Sequence, residues 1–253
     1  LDIRASRPYE KVLGAREMPG AEWFVGARLN LVDQVFRHVT ESRPAILAGN
    51  ERGELREVSW PDLRTQVASL SEALRGLGVV PGDRIVAILP NVPETIVAFF
   101  ACASVGAIWS VCSPDMGPLA VLDRFRQIAP RVLIAGDGYR YGGKVYDRVE
   151  VLAEIRAALT SLEHTIVVPL LRDDRATERF PGALSWHALT GNAAEMRCEQ
   201  VASDHPLWVV YSSGTTGLPK AIVHGHAGVL LEMLKGVHLH RDIGPGDRFF
   251  WYT

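Results

Sequence analysis

A chain of 253 residues with 47% hydrophobic and 22% charged side chains has ordinary globular composition and enough apolar content to bury a substantial core, which excludes a disordered or fibrous protein. A formal net charge of −2 offers no bulk attraction to nucleic acid or to anionic lipid, so any anion must be held by a local site. No apolar run approaches the roughly 18 residues that span a bilayer, and the first residues lack a signal-peptide core, so the expected compartment is the cytosol.

Taken in chain order, the pattern is one of alternating helices and strands. Ser59 precedes Trp60 and Pro61 as an N-cap with proline in the first turn, and Leu63, Val67, Leu70, Leu74 and Leu77 recur at helical spacing until Gly76 and Gly78 end the run. Pro81-Gly82-Asp83 makes a turn, residues 85–89 read as a buried strand, and Pro90 ends it. A helix is predicted over about 93–105, with Ile96, Val97, Phe100 and Ala103 on its inner face, followed by a strand over 107–112. Val121, Leu122, Phe125 and Ile128 mark another helix, residues 132–135 a strand, 149–159 a helix and 165–168 a strand.

Repeated crossovers imply an α/β fold with mostly parallel sheets flanked by helices in three layers. Residues 171–200, rich in Asp, Arg, Glu and Pro with one short apolar patch at 183–189, are expected to form a surface connection, and no interdomain linker interrupts the chain. Pro-Gly-Asp-Arg occurs at Pro81 and again at Pro245, which reads as the same turn chemistry used twice rather than a sequence repeat. Leu1 is not an initiator Met and residues 249–253 stop inside what reads as a core strand containing Trp251 and Tyr252, so both ends read as cut. Cys102, Cys112 and Cys198 are too scattered for a disulfide framework or a Cys-x-x-Cys zinc site and read as reduced, packed thiols.

The segment Leu207-Trp-Val-Val-Tyr211 reads as a buried strand, and it delivers the loop Tyr211-Ser-Ser-Gly-Thr-Thr-Gly-Leu-Pro-Lys220 to a sheet edge. Gly214 and Gly217 permit positive φ and close backbone approach, so that successive amides can converge on an anion. Ser212, Ser213, Thr215 and Thr216 add hydroxyl donors, and Lys220 adds a mobile positive charge. The P-loop of the NTPases is excluded, because Gly214 and Gly217 stand too close together and Ala221 follows Lys220 where a Ser or Thr is required. On composition alone, a Gly/Ser/Thr-rich surface turn remains the alternative.

A second cluster, Asp137-Gly-Tyr-Arg-Tyr-Gly-Gly-Lys144, places Arg140 and Lys144 in a glycine-flanked loop after a strand, where two cations can hold a phosphate or simply face solvent. Tyr139 and Tyr141 read as stacking surfaces or as loop packing. The histidine pairs His224/His226 and His238/His240 flank a predicted helix of about 12 residues, which would separate them by roughly 18 Å, too far to share an ion. No metal-ligating residues are therefore assigned. His224 and His226 are expected to cap the strand-to-helix turn beside the phosphate loop, within reach of its ligand, and Asp115 to cap the helix that follows it.

The loop from Tyr211 to Lys220 resembles the signature loop of the adenylate-forming superfamily, which includes acyl-CoA synthetases, firefly luciferases and peptide-synthetase adenylation domains. In that family the loop wraps the β- and γ-phosphates of ATP while a carboxylate attacks the α-phosphorus. The residues that match are Ser212, Ser213, Gly214, Thr215, Thr216, Gly217 and Lys220. The flanks are similar to the branch of the superfamily that activates acetoacetate: Trp23-Phe-Val-Gly-Ala-Arg-Leu-Asn30, Gly106-Ala-Ile-Trp-Ser-Val-Cys-Ser-Pro-Asp115, the Asp137–Lys144 run, Ala221-Ile-Val-His-Gly-His226 and Gly244-Pro-Gly-Asp-Arg-Phe-Phe-Trp-Tyr-Thr253.

The resemblance implies an acid–thiol ligase using ATP, Mg²⁺ and coenzyme A, with Arg140 and Lys144 meeting the 3′-phosphate of CoA. It also implies that residues 1–253 are part of a large N-terminal AMP-binding domain. The rest of that domain and a small C-terminal domain, with the Mg²⁺ ligand and the catalytic lysine, would lie outside them, so no catalytic residue is assigned and the chain alone is expected to be inactive. The alternatives are a ligase for acetate, propionate or another short acid, and a non-catalytic nucleotide-binding module. The expected partners are small molecules, not nucleic acid, and nothing in the sequence specifies an oligomeric state.

Overall fold

A strand buried on both faces needs a continuous apolar run, and this chain uses several to build the centre of one sheet. The computed structural model describes residues 2–172, 174–213 and 217–250. In chain order the elements that build the site are α1 (Leu31–Phe36), α2 (Trp60–Gly76), β1 (Arg84–Ile88), α3 (Pro93–Ser104), β2 (Ile108–Cys112), α4 (Pro118–Phe125), β3 (Val132–Gly136), the hairpin β4 (Gly138–Tyr141) and β5 (Lys144–Asp147), α5 (Val149–Ala158), β6 (His164–Val168), β7 (Leu184–Ser185), α6 (Trp186–Thr190), β8 (Pro206–Ser212), β9 (Lys220–Gly225) and α7 (His226–Leu234). Strands β7-β6-β3-β1-β2-β8-β9, in that order, form a 7-stranded sheet. All neighbours are parallel except β9, which runs antiparallel to β8 at the edge.

Because strand side chains alternate, Ile85 and Ala87 face a core shared with Leu70, Ala101 and Trp186 from α2, α3 and α6, while Val86 and Ile88 face Phe125 and Ile155 from α4 and α5. The expected three-layer α/β fold is what forms. The helix anticipated after Ser59 is α2: the Ser59 hydroxyl accepts from the Asp62 amide at 3.1 Å, Leu63, Val67, Leu70 and Leu74 are buried, and Gly78 stands at φ +80° just past its end. The two Pro-Gly-Asp turns also match. In each, the glycine takes positive φ (Gly82 +89°, Gly246 +106°) and the aspartate carboxylate accepts the amide three residues back, Val80 at 3.0 Å and Gly244 at 2.8 Å.

Two expectations about the chain's organisation fail. Residues 171–200 are not a mere surface connection, since they supply β7 and α6 and bury Trp186 and Phe180, each 2% exposed. A count of charged residues hides this because a pair of large aromatic rings anchors an otherwise polar stretch. Phe249 and Phe250 belong to no strand and are exposed, with the Arg241 guanidinium 6.0 Å over the Phe249 ring. A strand forms only where neighbouring backbone completes its ladder, and apolar character alone does not provide that; Trp251, Tyr252 and Thr253 lie outside the described residues.

Asp137 is 0% exposed at the end of β3, and its carboxylate accepts the amides of Leu170, Leu171 and Arg172 at 2.8, 2.9 and 3.0 Å. Its backbone carbonyl accepts from the Arg148 amide at 3.1 Å, just before α5. One side chain thus ties the carboxyl ends of β3 and β6 and sets where the β4–β5 hairpin departs. At Gly138 a Cβ would stand 2.4 Å from the Tyr146 carbonyl oxygen, so only glycine fits the first position of that hairpin.

The N-terminal segment is tied down by a second buried polar set. Asn30 caps α1 by accepting from Val32 at 2.9 Å, and its amide donates to the carbonyls of Ala103 (2.9 Å) and Glu199 (2.8 Å). His226, 0% exposed, accepts the Leu31 amide on Nδ1 at 3.2 Å, which leaves its proton on Nε2. Burial, and then the charge of His205 whose ring lies 6.0 Å away, hold the His226 pKa down at about 4.

Two outcomes follow from these ties. Asp137→Ala leaves the amides of Leu170, Leu171 and Arg172 without their acceptor and costs about 3 kcal/mol or more, with Asp137→Asn costing less, as read by urea unfolding; a loss below about 1 kcal/mol would contradict the role. His226 is neutral when folded, so as pH falls from about 6.5 to 4 the unfolded chain takes up its proton first and stability drops by on the order of 3 kcal/mol. His226→Gln should flatten that pH slope, and an unchanged slope would remove His226 as its source.

Candidate functional site

In a parallel sheet the loops that leave the carboxyl ends of the strands collect on one side, which is where ligands are met. β8 runs parallel to β2 and ends there, and β9 brings the chain straight back. The register pairs Ser212 with Lys220 and Tyr211 with Ala221, so the Ser212 and Lys220 side chains are cross-strand neighbours on one face at the mouth of the loop, while Tyr211 points to the other face. Ser212, Ser213 and Lys220 are exposed. Gly217 takes φ +123° with nothing within 4 Å of where a Cβ would stand, so its requirement for glycine is conformational rather than steric. Gly214, Thr215 and Thr216, named above as phosphate donors, lie outside the described residues.

The two stems of this loop are fastened to the end of α4. The Tyr211 phenol donates to the Arg124 carbonyl at 2.8 Å, and the Arg124 guanidinium stands 5.9 Å from the centre of its ring. On the returning stem the Gln127 side-chain amide donates to the Pro219 carbonyl at 2.9 Å. Burial pushes the Tyr211 pKa up to about 12, so the phenol keeps its proton and remains a donor near neutrality. Sequence reasoning assigned no role to Gln127, and no local pattern signals one, since its partner is 92 residues away.

The second cluster is a hairpin rather than an irregular loop. Gly142 and Gly143, at φ +59° and +72°, form the two-residue turn between β4 and β5. Arg140 pairs with Val145 and Lys144 with Tyr141, so Arg140 and Lys144 stand on adjacent rungs with side chains on opposite faces: the fold brings them to one tip but not to one face. Tyr139 stacks on Tyr146 at 4.9 Å and 11°, on the face that carries Lys144, while Tyr141 is exposed. The tip amides of Gly142 and Gly143 donate to the Glu51 carboxylate at 2.7 and 3.1 Å, and these backbone bonds hold its carboxyl below the usual range. The tip therefore already seats an anion, one of the chain's own. It leaves the same end of the sheet as the loop after β8, three strand positions away, about 14 Å.

The histidines fall elsewhere. His224 accepts from the Trp208 indole at 2.7 Å, and His226 begins α7 in the buried position described above. β9 runs away from the loop for the length of a 6-residue strand, so this turn is about 17 Å from the loop and not beside it. His238 bonds the Ile243 carbonyl at 3.0 Å. Among the described residues no group of three or more His, Cys, Asp or Glu side chains is placed to hold a metal ion. Asp115 does not cap α4, whose N-cap is Gly117; it takes the Ser113 hydroxyl in the preceding turn. The three cysteines are free thiols, with burial raising Cys112 to about 11 and Cys102 and Cys198 upward too.

Similarity to known proteins extends over nearly the whole chain, and a malonamoyl-CoA synthetase of Penicillium aethiopicum, 35% identical over 99% of this chain and 37% of that protein, stands among the relatives. The family described as AMP-binding enzyme matches residues 34–253. Acetoacetyl-coenzyme A synthetase of Rhizobium meliloti (strain 1021) is 41% identical over 240 residues, covering 93% of this chain and 36% of that protein. Acetoacetyl-CoA synthetase of Rattus norvegicus is 36% identical over 263 residues, covering 99% of this chain and 39% of that protein. A solved structure, acetoacetyl-CoA synthetase from Streptomyces lividans, superposes with a TM-score of 0.95 at 54% identity over 100% of this chain and 39% of that one. The chain thus spans less than two fifths of the length of these relatives. With the family match running from α1 through the loop after β8 and beyond, the chain belongs to the AMP-binding enzymes.

Proposed function

We propose that this chain is the phosphate-loop part of an ATP-dependent acid–thiol ligase that activates acetoacetate as its acyl-adenylate and passes the acyl group to coenzyme A. The observation that carries the reading is that similarity to proteins named acetoacetyl-CoA synthetase extends over 93% to 100% of the chain, not over the loop alone. The physics of the reaction fits the site. A carboxylate is already ionised near pH 7 and needs no general base, but its approach to a triphosphate is opposed by like charge, so fixed donors on the pyrophosphate side lower the barrier.

In this reading Ser212, Ser213, Gly214, Thr215, Thr216 and Gly217 supply amides and hydroxyls to the β- and γ-phosphates, and Lys220 neutralises charge as pyrophosphate leaves. The CoA thiol then displaces AMP. Arg140 and Lys144 hold the CoA 3′-phosphate at the hairpin tip, reaching it from the two faces of the ribbon while Glu51 keeps the tip amides. Mg²⁺ would accompany the nucleotide and offset its charge; the described residues offer no carboxylate cluster for it, so no residue here is assigned to it. No helix among the described residues is long and apolar enough to cross a membrane, and the working compartment of the reading is the cytosol.

In the protein of natural length, Lys220→Ala should lower kcat/KM for ATP by about 100-fold in acetoacetate-dependent pyrophosphate release. Activity within twofold of wild type would remove the loop from the mechanism, and a preference for acetate over acetoacetate would move the acid assignment. Arg140→Ala or Lys144→Ala should raise the KM for CoA about 5- to 10-fold and leave ATP–pyrophosphate exchange unchanged; a change confined to the exchange step would overturn the CoA role.

A further inference from the structure

We propose that Gln127 is a positioning residue: with the Tyr211 to Arg124 hydrogen bond it forms a clamp on one helix end that sets the spacing of the two stems of the phosphate loop. The inference rests on the phosphate-binding reading above and adds to it a part that lies outside the loop.

β8 is flanked by β2 and β9, and among the described residues β9 has β8 as its one neighbour in the sheet. The returning stem is also tied outside the sheet. Pro219 has no N–H, so its carbonyl is the one backbone group that can be tied, and the donor that reaches it is the Gln127 amide at 2.9 Å. The same nitrogen donates to the Asp123 carbonyl at 2.6 Å, one turn back, which fixes the direction of the side chain and aims its second hydrogen at Pro219.

The outgoing stem is held at the same place. Tyr211 donates to the carbonyl of Arg124, three residues before Gln127. Gln127 lies in the 3₁₀ turn Arg126–Ile128 that continues α4, and α4 is locked into the core by Val121 and Phe125, both 0% exposed. A surface loop is thereby referenced on both sides to a buried helix. Holding an exposed glutamine in one rotamer costs side-chain entropy, and both of its amide hydrogens are used in doing so. Being neutral, Gln127 clamps the stem without placing negative charge beside a polyphosphate, whereas a glutamate there would lose the donor and add repulsion.

The test uses the protein of natural length with Gln127→Ala, Gln127→Glu and Tyr211→Phe, and with Lys220→Ala as the control for the loop itself. KM for ATP and KM for CoA are measured alongside the thermal midpoint. Gln127→Ala and Tyr211→Phe should each raise the KM for ATP about 3- to 10-fold with a smaller fall in kcat. Gln127→Glu should raise it further. The KM for CoA should not move, and the midpoint of the Gln127 variants should stay within about 2 °C. Equal rises in both KM values with a falling midpoint would reduce Gln127 to general packing and overturn the clamp. So would an unchanged KM for ATP in Gln127→Ala when Lys220→Ala weakens the use of ATP. If Lys220→Ala has no effect on ATP use, the phosphate-loop reading fails and the clamp falls with it.

Discussion

The backbone ladder between β8 and β9 is the constraint on which the site depends. Amides and hydroxyls in a short loop can converge on an anion only if the strand that enters and the strand that leaves are held at a fixed offset, because a slip of one residue turns every side chain to the opposite face. The pairing of Ser212 with Lys220 fixes that offset. It puts the hydroxyl and the ammonium side by side and sends Tyr211 toward α4. The rest of the molecule supplies the conditions for this pairing: a parallel sheet that presents strand ends on one side, and a helix layer beneath it that carries Arg124 and Gln127.

The same economy appears at the other end of the strand order. Asp137 closes the carboxyl ends of β3 and β6 with a single buried carboxylate, and the hairpin bearing Arg140 and Lys144 springs from that closure. The two proposed anion sites thus hang from one sheet end, separated by intervening strands, and each has a polar contact made outside the feature itself. Glu51 at the hairpin tip illustrates the cost of such exposure, for amides arranged to receive an anion have taken one from a neighbouring turn.

Much of this was legible in the sequence because local rules dominated. Ser59 with Pro61, the apolar runs of β1 to β3 and both Pro-Gly-Asp turns reported their structures through short-range chemistry. The loop residues pointed to a phosphate site by their types and order, and the resemblance of the flanks supplied the chemistry that is proposed for it. What was not legible was set by distance along the chain. Gln127 and Pro219, or Asp137 and Leu170, meet only after the sheet has formed, and no periodicity records such pairs. The direction of a strand misled as well: His226 is near the loop in sequence but far from it in space, because β9 carries the chain to the opposite end of the sheet. Charge content misled at 171–200, where Trp186 and Phe180 outweigh many polar neighbours.

A crystal structure of the natural-length protein with a non-hydrolysable ATP analogue tests the central claim most directly. The account predicts β- and γ-phosphate oxygens within hydrogen-bond distance of the amides and hydroxyls between Ser212 and Gly217, with the Lys220 ammonium alongside and the Gln127 to Pro219 bond intact. A triphosphate bound elsewhere, with Ser212 and Lys220 facing only solvent, would contradict it.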